Sequence, residues 1–356
     1  MEICLSAPGK LFLSGEYAVL WGGTARLAGV GPRGWALART REDREVHLVL
    51  AEGRVVGTVT PLGVRWATEP GPAFRFAARA VDVVVRARGR ESLGLELALS
   101  ATAPGPDGHK LGLGSSARAV VLASESACRL LEVRPPLALA VLAHTEAQGG
   151  TGSGGDVAAC SAGGLLRYRR WPIERVTSAP SLSLGLAAAG APDVVRLGTT
   201  SFPASYAFSG RSASTPGMIQ KAEAVLEGAA RQRFVESSDE LGRELEDGLR
   251  GARFAQVDEA CQGLEQLLES LPGVGTAGTS RILALARTAG STGKVSGAGG
   301  GDGCVLFSPD EPTRTALLAA LGHRGFTAVP LPIEPGVRAE SSPPAELRAW
   351  LPGQKS

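Results

Sequence analysis

A two-domain α+β fold is what this sequence predicts, and three observations carry the expectation. At 356 residues with 44% apolar content, the chain is long enough for two hydrophobic cores. Its first third is mainly β, whereas its second half alternates helical runs with isolated strands. Between them, the Ser/Ala/Pro-rich stretch 177–192 lacks periodicity and follows a completed β unit, which divides the chain into 1–185 and 186–356.

The elements follow in order. Residues 3–6 and 11–14 read as strands flanking a Pro8-Gly9 turn, and 46–50 as a short β-branched strand. From 73 to 86, Phe76, Ala77, Val81, Val84 and Val85 recur with helical spacing. A strand at 93–99 leads through a Pro/Gly loop at 104–108 into the helix 119–131. Pro135-Pro136 opens a further helix to about 147, with proline where no amide donor is needed. A glycine-rich loop at 149–155 precedes Asp156 and the strand 165–169. In the second half, 219–227, 240–251, 254–271, 280–288 and 312–321 are helical, and 305–307 is a strand leaving a glycine cluster.

Bulk properties exclude several classes. The net charge is +2 with the charges dispersed, so no basic face for nucleic acid or an anionic membrane is expected. Cys4, Cys128, Cys160, Cys261 and Cys304 are scattered without C-x-x-C spacing, against a disulfide framework or a zinc site. No signal pattern or membrane-length apolar run is evident, so a cytoplasmic protein is expected.

The chemistry begins at Lys110-Leu-Gly-Leu-Gly-Ser-Ser-Ala117. Gly112 and Gly114 allow backbone to approach an anion, and Ser115 and Ser116 add hydroxyls beside amides that lack intrahelical partners. Lys110, Leu113 and Ala117 complete this candidate cradle for a nucleotide's phosphates. Taken alone, the segment also fits a structural turn or the dinucleotide fingerprint of an oxidoreductase. The fingerprint argues for itself poorly, since it stands mid-domain rather than at the first strand-to-helix turn. A small-molecule kinase needs such a cradle, a cation on the transferred phosphoryl, Mg²⁺ and a group acting on the acceptor. No Walker A sequence supplies them: Gly293-Lys294 and Gly9-Lys10 are followed by Val295 and Leu11.

Three motifs together carry a resemblance. Ala7-Pro-Gly-Lys10 with Gly15-Glu16-Tyr17, then Gly112-Leu-Gly-Ser-Ser-Ala117, then Ser296-Gly-Ala-Gly-Gly-Gly-Asp302 resemble, in order and spacing, the motifs of the GHMP small-molecule kinases. His144-x-x-Ala147-Gln148-Gly149 followed by Gly152-Ser-Gly-Gly-Asp156-Val-Ala resembles the phosphomevalonate kinase group, as do Lys110 and Phe208-Ser-Gly-Arg-Ser212-Ala-Ser-Thr215. The resemblance implies a ribosomal-S5-like N-terminal domain, a ferredoxin-like C-terminal domain, and ATP with Mg²⁺ as cofactors. It also implies 5-phosphomevalonate as acceptor and a monomer or homodimer. Mevalonate kinase is the neighbouring alternative, and a non-catalytic nucleotide-binding relative a more distant one.

Site roles follow. Asp156 near Lys10 would accept a proton or act as an electrostatic partner, while Lys10 stabilises developing negative charge. Ser116 suits a hard cation that keeps its waters, with Glu146 the carboxylate within reach in sequence. The resemblance implies acceptor contacts from Lys10, Ser153, Ser212, Ser214, Thr215, Ser296, Gly297, Ala298 and Asp302, with 297–301 a nest of amides. Lys294 is a secondary cation candidate, and His144 reads as a helix histidine. Two departures from the family pattern, Arg118 and Gly155, would add a cation near the phosphates and widen the acceptor pocket.

Overall fold

The computed structural model describes residues 1–89, 93–101, 111–211 and 215–351, without the side chains of 215 and 216. Lys110, Ser212, Ser214, the side chain of Thr215 and the loop 104–108 lie outside the described residues.

The first sheet holds β1 (Glu2–Ser14), β2 (Thr24–Arg41), β3 (Glu45–Leu50), β4 (Gly53–Thr60), β5 (Gly63–Trp66), β6 (Gly94–Ser100), β7 (Leu165–Arg169) and β8 (Val194–Gly198). The second sheet holds β9 (Ala204–Phe208), β10 (Thr292–Ser296), β11 (Gly303–Phe307) and β12 (Thr327–Pro330). A last strand, β13 (Arg338–Ala339), returns to the first sheet beside β1. The main order is β13-β1-β2-β6-β3-β4-β5, with β7 and β8 added along the other end of β2; the second sheet runs β10-β11-β9-β12. All named pairs are antiparallel except β3 with β6. A dinucleotide fold needs a mostly parallel sheet, so the oxidoreductase reading fails here.

The helices are α1 (Arg75–Arg88), α2 (Ser115–Leu131), α3 (Pro136–Ala147), α4 (Gly155–Ala162), α5 (Glu174–Thr177) and α6 (Leu182–Ala189) in the first half. The second half adds α7 (Thr215–Val225), α8 (Gly228–Arg250), α9 (Phe254–Glu269), α10 (Ala277–Thr288), α11 (Glu311–His323) and α12 (Ala345–Trp350). One core packs α1, α2 and α3 on the inner face of the first sheet through residues such as Leu48, Leu97, Val84, Val121 and Leu139. A second joins the halves, bringing Leu13 and Val30 against Leu245, Leu264 and Phe307. The apolar periodicity read at 73–86 and 119–131 is the face that each helix buries here.

Four expectations change. Residues 3–14 form one strand, because a register shift between Ala7 and Gly9 absorbs Pro8 as an irregularity rather than a turn. The stretch 177–192 contains α6, capped by the Ser181 hydroxyl accepting from the Leu184 amide, and the division at 185/186 falls inside it. The first sheet continues through β8 to Gly198 before the second begins at Ala204. The C-terminal segment also leaves the second half: Leu347 and Leu351 bury against Cys4, Leu37 and Ala98.

Candidate active site

Lys10 sits mid-strand in β1, and its amide donates to the Leu113 carbonyl at 3.1 Å. That bond lays the cradle loop directly on the lysine. Gly114 has φ +83°, and a Cβ there would come within 2.6 Å of Lys10 Cγ, so conformation and space both demand glycine. The next residue opens α2, which leaves the amides of Ser115 and Ser116 without intrahelical acceptors.

Asp156 stands in the first turn of α4, where a helix favours negative charge. Its Oδ1 lies 3.3 Å from Lys10 Nζ. Burial opposes the Lys10 charge, but Asp156 beside it, with Asp302 behind, outweighs that and raises its pKa above the ordinary lysine value. His144 Nε2 lies 3.4 Å from Ser116 Oγ. Burial pushes the His144 pKa down to about 4, against the pull of Asp156, so the imidazole is neutral near pH 7.

The third motif approaches from the second half. Lys294 Nζ donates to Glu16 Oε1 at 2.6 Å, and the Gly297 amide reaches the same oxygen at 3.4 Å. Tyr17 donates its hydroxyl to the Ala298 carbonyl. These contacts hold 297–298 over a cleft of about 120 Å³ lined by Lys10, Ser153, Asp156, His144, Gly297 and Ala298, with Phe12, Val19, Leu20 and Ile219 as its apolar wall. On the other side of Ser116 a larger cavity of about 540 Å³ is lined by Leu50, Phe76, Leu99, Ser115 and Trp350.

The structure thus brings together Lys10, Asp156, Ser153, Gly297 and Ala298, with the cradle Gly112–Ser116 beside them. Asp302 lies across from Gly112, its Oδ1 3.5 Å from where a Gly112 Cβ would stand. Leu113 and Ala117 are buried supports. Other expectations are not met. Ser296 is buried and donates its hydroxyl to the Phe12 carbonyl at 2.8 Å, so it braces the loop instead of facing the cleft. Glu146 turns toward α1, paired with Arg86 at 2.6 Å and Arg79 at 3.7 Å, and leaves Ser116 to His144. Lys294 is consumed by Glu16. Arg118 is buried, donates to the Pro32 carbonyl and adds no cation to the cleft. Gly155 does not widen the pocket, because Phe12 and Leu27 already fill the space at 3.4 Å from its would-be Cβ.

Sequence reasoning undervalued His144, Glu16 and Tyr17. A signal existed for the first: α3 is apolar on all sides until His144, and a titratable group in such a helix must find a polar partner. Tyr17, at φ +61° without being glycine, marks a constrained turn that only the structure reveals.

Residues 75–164 match the model of the GHMP kinases N terminal domain. The chain is 28% identical to a phosphomevalonate kinase from a Streptomyces species, over 93% of this chain and 96% of that protein. It is 25% identical to a mevalonate kinase from Thermococcus gammatolerans, over 89% and 92% respectively. Among solved structures, Streptococcus pneumoniae phosphomevalonate kinase in complex with phosphomevalonate and AMPPNP superposes with a TM-score of 0.77 at 20% identity, covering 95% of this chain and all of that one. This last likeness bears on the fold, the mixed two-domain architecture of these kinases. The family model over residues 75–164, the motif order and the fold all show the same likeness, to the GHMP kinases.

Proposed function

We propose that the protein transfers the γ-phosphoryl group of ATP to the phosphate of 5-phosphomevalonate, giving 5-diphosphomevalonate and ADP. The observation that carries this reading is the Lys10–Asp156 pair, 3.3 Å apart, in a cleft bounded by a helix N-terminal cradle on one side and the 297–298 loop on the other. A nucleotide would place its phosphates on the Ser115 and Ser116 amides and its base in the cavity containing Phe76 and Trp350. An acceptor phosphate oxygen attacks the γ-phosphorus as the bond to the β-phosphate oxygen breaks, and ADP carries the charge away. Because that nucleophile is already anionic, Lys10 neutralises charge, and Asp156 holds and orients Lys10 more than it takes a proton. Ser153 and the amides of Gly297 and Ala298 would orient the acceptor.

Among the described residues no group of three His, Cys, Asp or Glu side chains could cage a metal. That donor set fits a Mg²⁺ arriving on the nucleotide, with Ser116 Oγ as its protein oxygen, where it would neutralise phosphate charge. Neutral His144 would hold the Ser116 hydroxyl in place. Mevalonate kinase is the second reading, favoured by the relative from Thermococcus gammatolerans. The test is ADP release from Mg·ATP with each acceptor separately, the products identified by mass. Turnover with 5-phosphomevalonate alone supports the proposal; turnover with mevalonate alone replaces it with the second reading.

A further inference from the structure

Behind the active site lies a second, unrelated concentration of charge. β2 and β7 pair with Arg26 opposite Arg167 and Thr24 opposite Arg169, so three arginines share one face of the sheet. Like charges directly opposite each other repel. Over this face α8 lays Asp239, Arg243, Glu246 and Arg250, spaced to fall on one side of a helix. The helix can come this close because residue 242 is glycine, whose would-be Cβ stands 2.4 Å from Arg26 Nη1.

Glu246 answers most of the positive charge alone. Its carboxylate lies 3.2 Å from Arg26 Nε, 3.4 Å from Arg167 Nε and 3.8 Å from Arg250 Nη1. Asp239 accepts from the Thr24 amide at 2.8 Å. Between strands and helix remains a cavity of about 240 Å³ lined by Arg26, Arg167, Arg169, Arg243, Asp193 and Asp239. Among the described residues the guanidinium groups of Arg169 and Arg243 make no ion pair. Cations therefore outnumber carboxylates around this space. Guanidinium forks match phosphate oxygens in geometry as well as charge.

We propose that this cavity is a second anion site, which takes a small phosphate-bearing molecule between Arg169 and Arg243 with Arg26 and Arg167 at its base. Tyr168, between Arg167 and Arg169, turns its side chain to the other face of the sheet and donates its hydroxyl to the Ser153 carbonyl at 2.7 Å, in the loop leading to Asp156. The site is thus back to back with the catalytic cleft yet lined by other residues. It does not depend on the kinase reading.

Inorganic diphosphate at constant ionic strength is the probe, titrated calorimetrically into the full chain without ATP or acceptor. The wild type is expected to bind two equivalents, one of which is weakened at least tenfold in Arg169→Gln/Arg243→Gln while the other is weakened in Lys10→Met. Val195→Glu, which adds a carboxylate to the exposed rim of the cavity, is expected to abolish the first equivalent with the thermal midpoint unchanged. A single equivalent lost in Lys10→Met, or unchanged affinity and stoichiometry in both cavity variants, would overturn the proposal.

Discussion

Two lysine–carboxylate pairs fasten β1 and the turn after it to the rest of the molecule, and their surroundings differ. Lys10 and Asp156 are 3.3 Å apart with side chains 15% and 30% exposed, at the wall of a cleft. Lys294 and Glu16 are 2.6 Å apart and only 0% and 3% exposed, and they tie the turn after β1 to β10. The first pair leaves faces open to a third group, so its charge is available to chemistry. The second has exchanged water for a partner and neighbouring backbone, and its product is the position of 297–298. The residue types are the same; access to a ligand separates the pair proposed as catalytic from the structural one.

The largest effect expected from breaking this contrast is on stability. Lys294→Met leaves Glu16 buried and unpaired, and should cost about 3–5 kcal/mol in chemical unfolding. Adding Glu16→Gln should return part of that loss, a coupling that a double-mutant cycle measures.

The next effect comes from His144, which lies near Lys10 and Asp156 but keeps a folded pKa of about 4 against an unfolded value of 6.5. The unfolded chain binds the proton first, so the stability is present above pH 6.5 and is lost as pH falls toward 4, by about 3 kcal/mol for the full shift. Urea midpoints of the wild type and His144→Gln should therefore diverge in that window and run parallel above pH 7. Parallel curves throughout would mean that the histidine titrates in the fold as it does in the unfolded chain.

Ser116→Ala removes the oxygen offered to the Mg²⁺ on the nucleotide and should weaken Mg·ATP roughly tenfold, about the worth of one contact to a charged group, with the acceptor KM unchanged. The smallest effect belongs to Glu146→Gln. With its carboxylate held by Arg79 and Arg86, the change should cost at most about 1 kcal/mol of stability and leave the Mg²⁺ dependence of turnover unaltered.

How far the sequence led depends on range. Local signals were sufficient for α1, α2, α3 and β7, where periodicity, proline position and β-branched runs act within a few residues. The Lys10–Asp156 pairing, which the resemblance of the motifs implied, is present at 3.3 Å. Local signals failed where a partner far along the chain decides the outcome. Ser296 and Glu146 look like free ligands until Phe12, Arg79 and Arg86 take them. Arg118 looks like a phosphate cation until the Pro32 carbonyl accepts from it. β13 is too short to announce itself, and both it and β8 exist because β1 and β7 offer an unpaired edge.

The central claim is that Lys10 supplies charge neutralisation to an acceptor that needs no deprotonation. The direct measurement is kcat with 5-phosphomevalonate and saturating Mg·ATP for Lys10→Met and Asp156→Asn beside the wild type, with thermal midpoints as a check on folding. Lys10→Met is predicted to lose about 10²–10³-fold, the worth of one donor to developing charge, and Asp156→Asn about ten times less. An Asp156→Asn loss equal to or larger than that of Lys10→Met would contradict the account and mark Asp156 as a true general base.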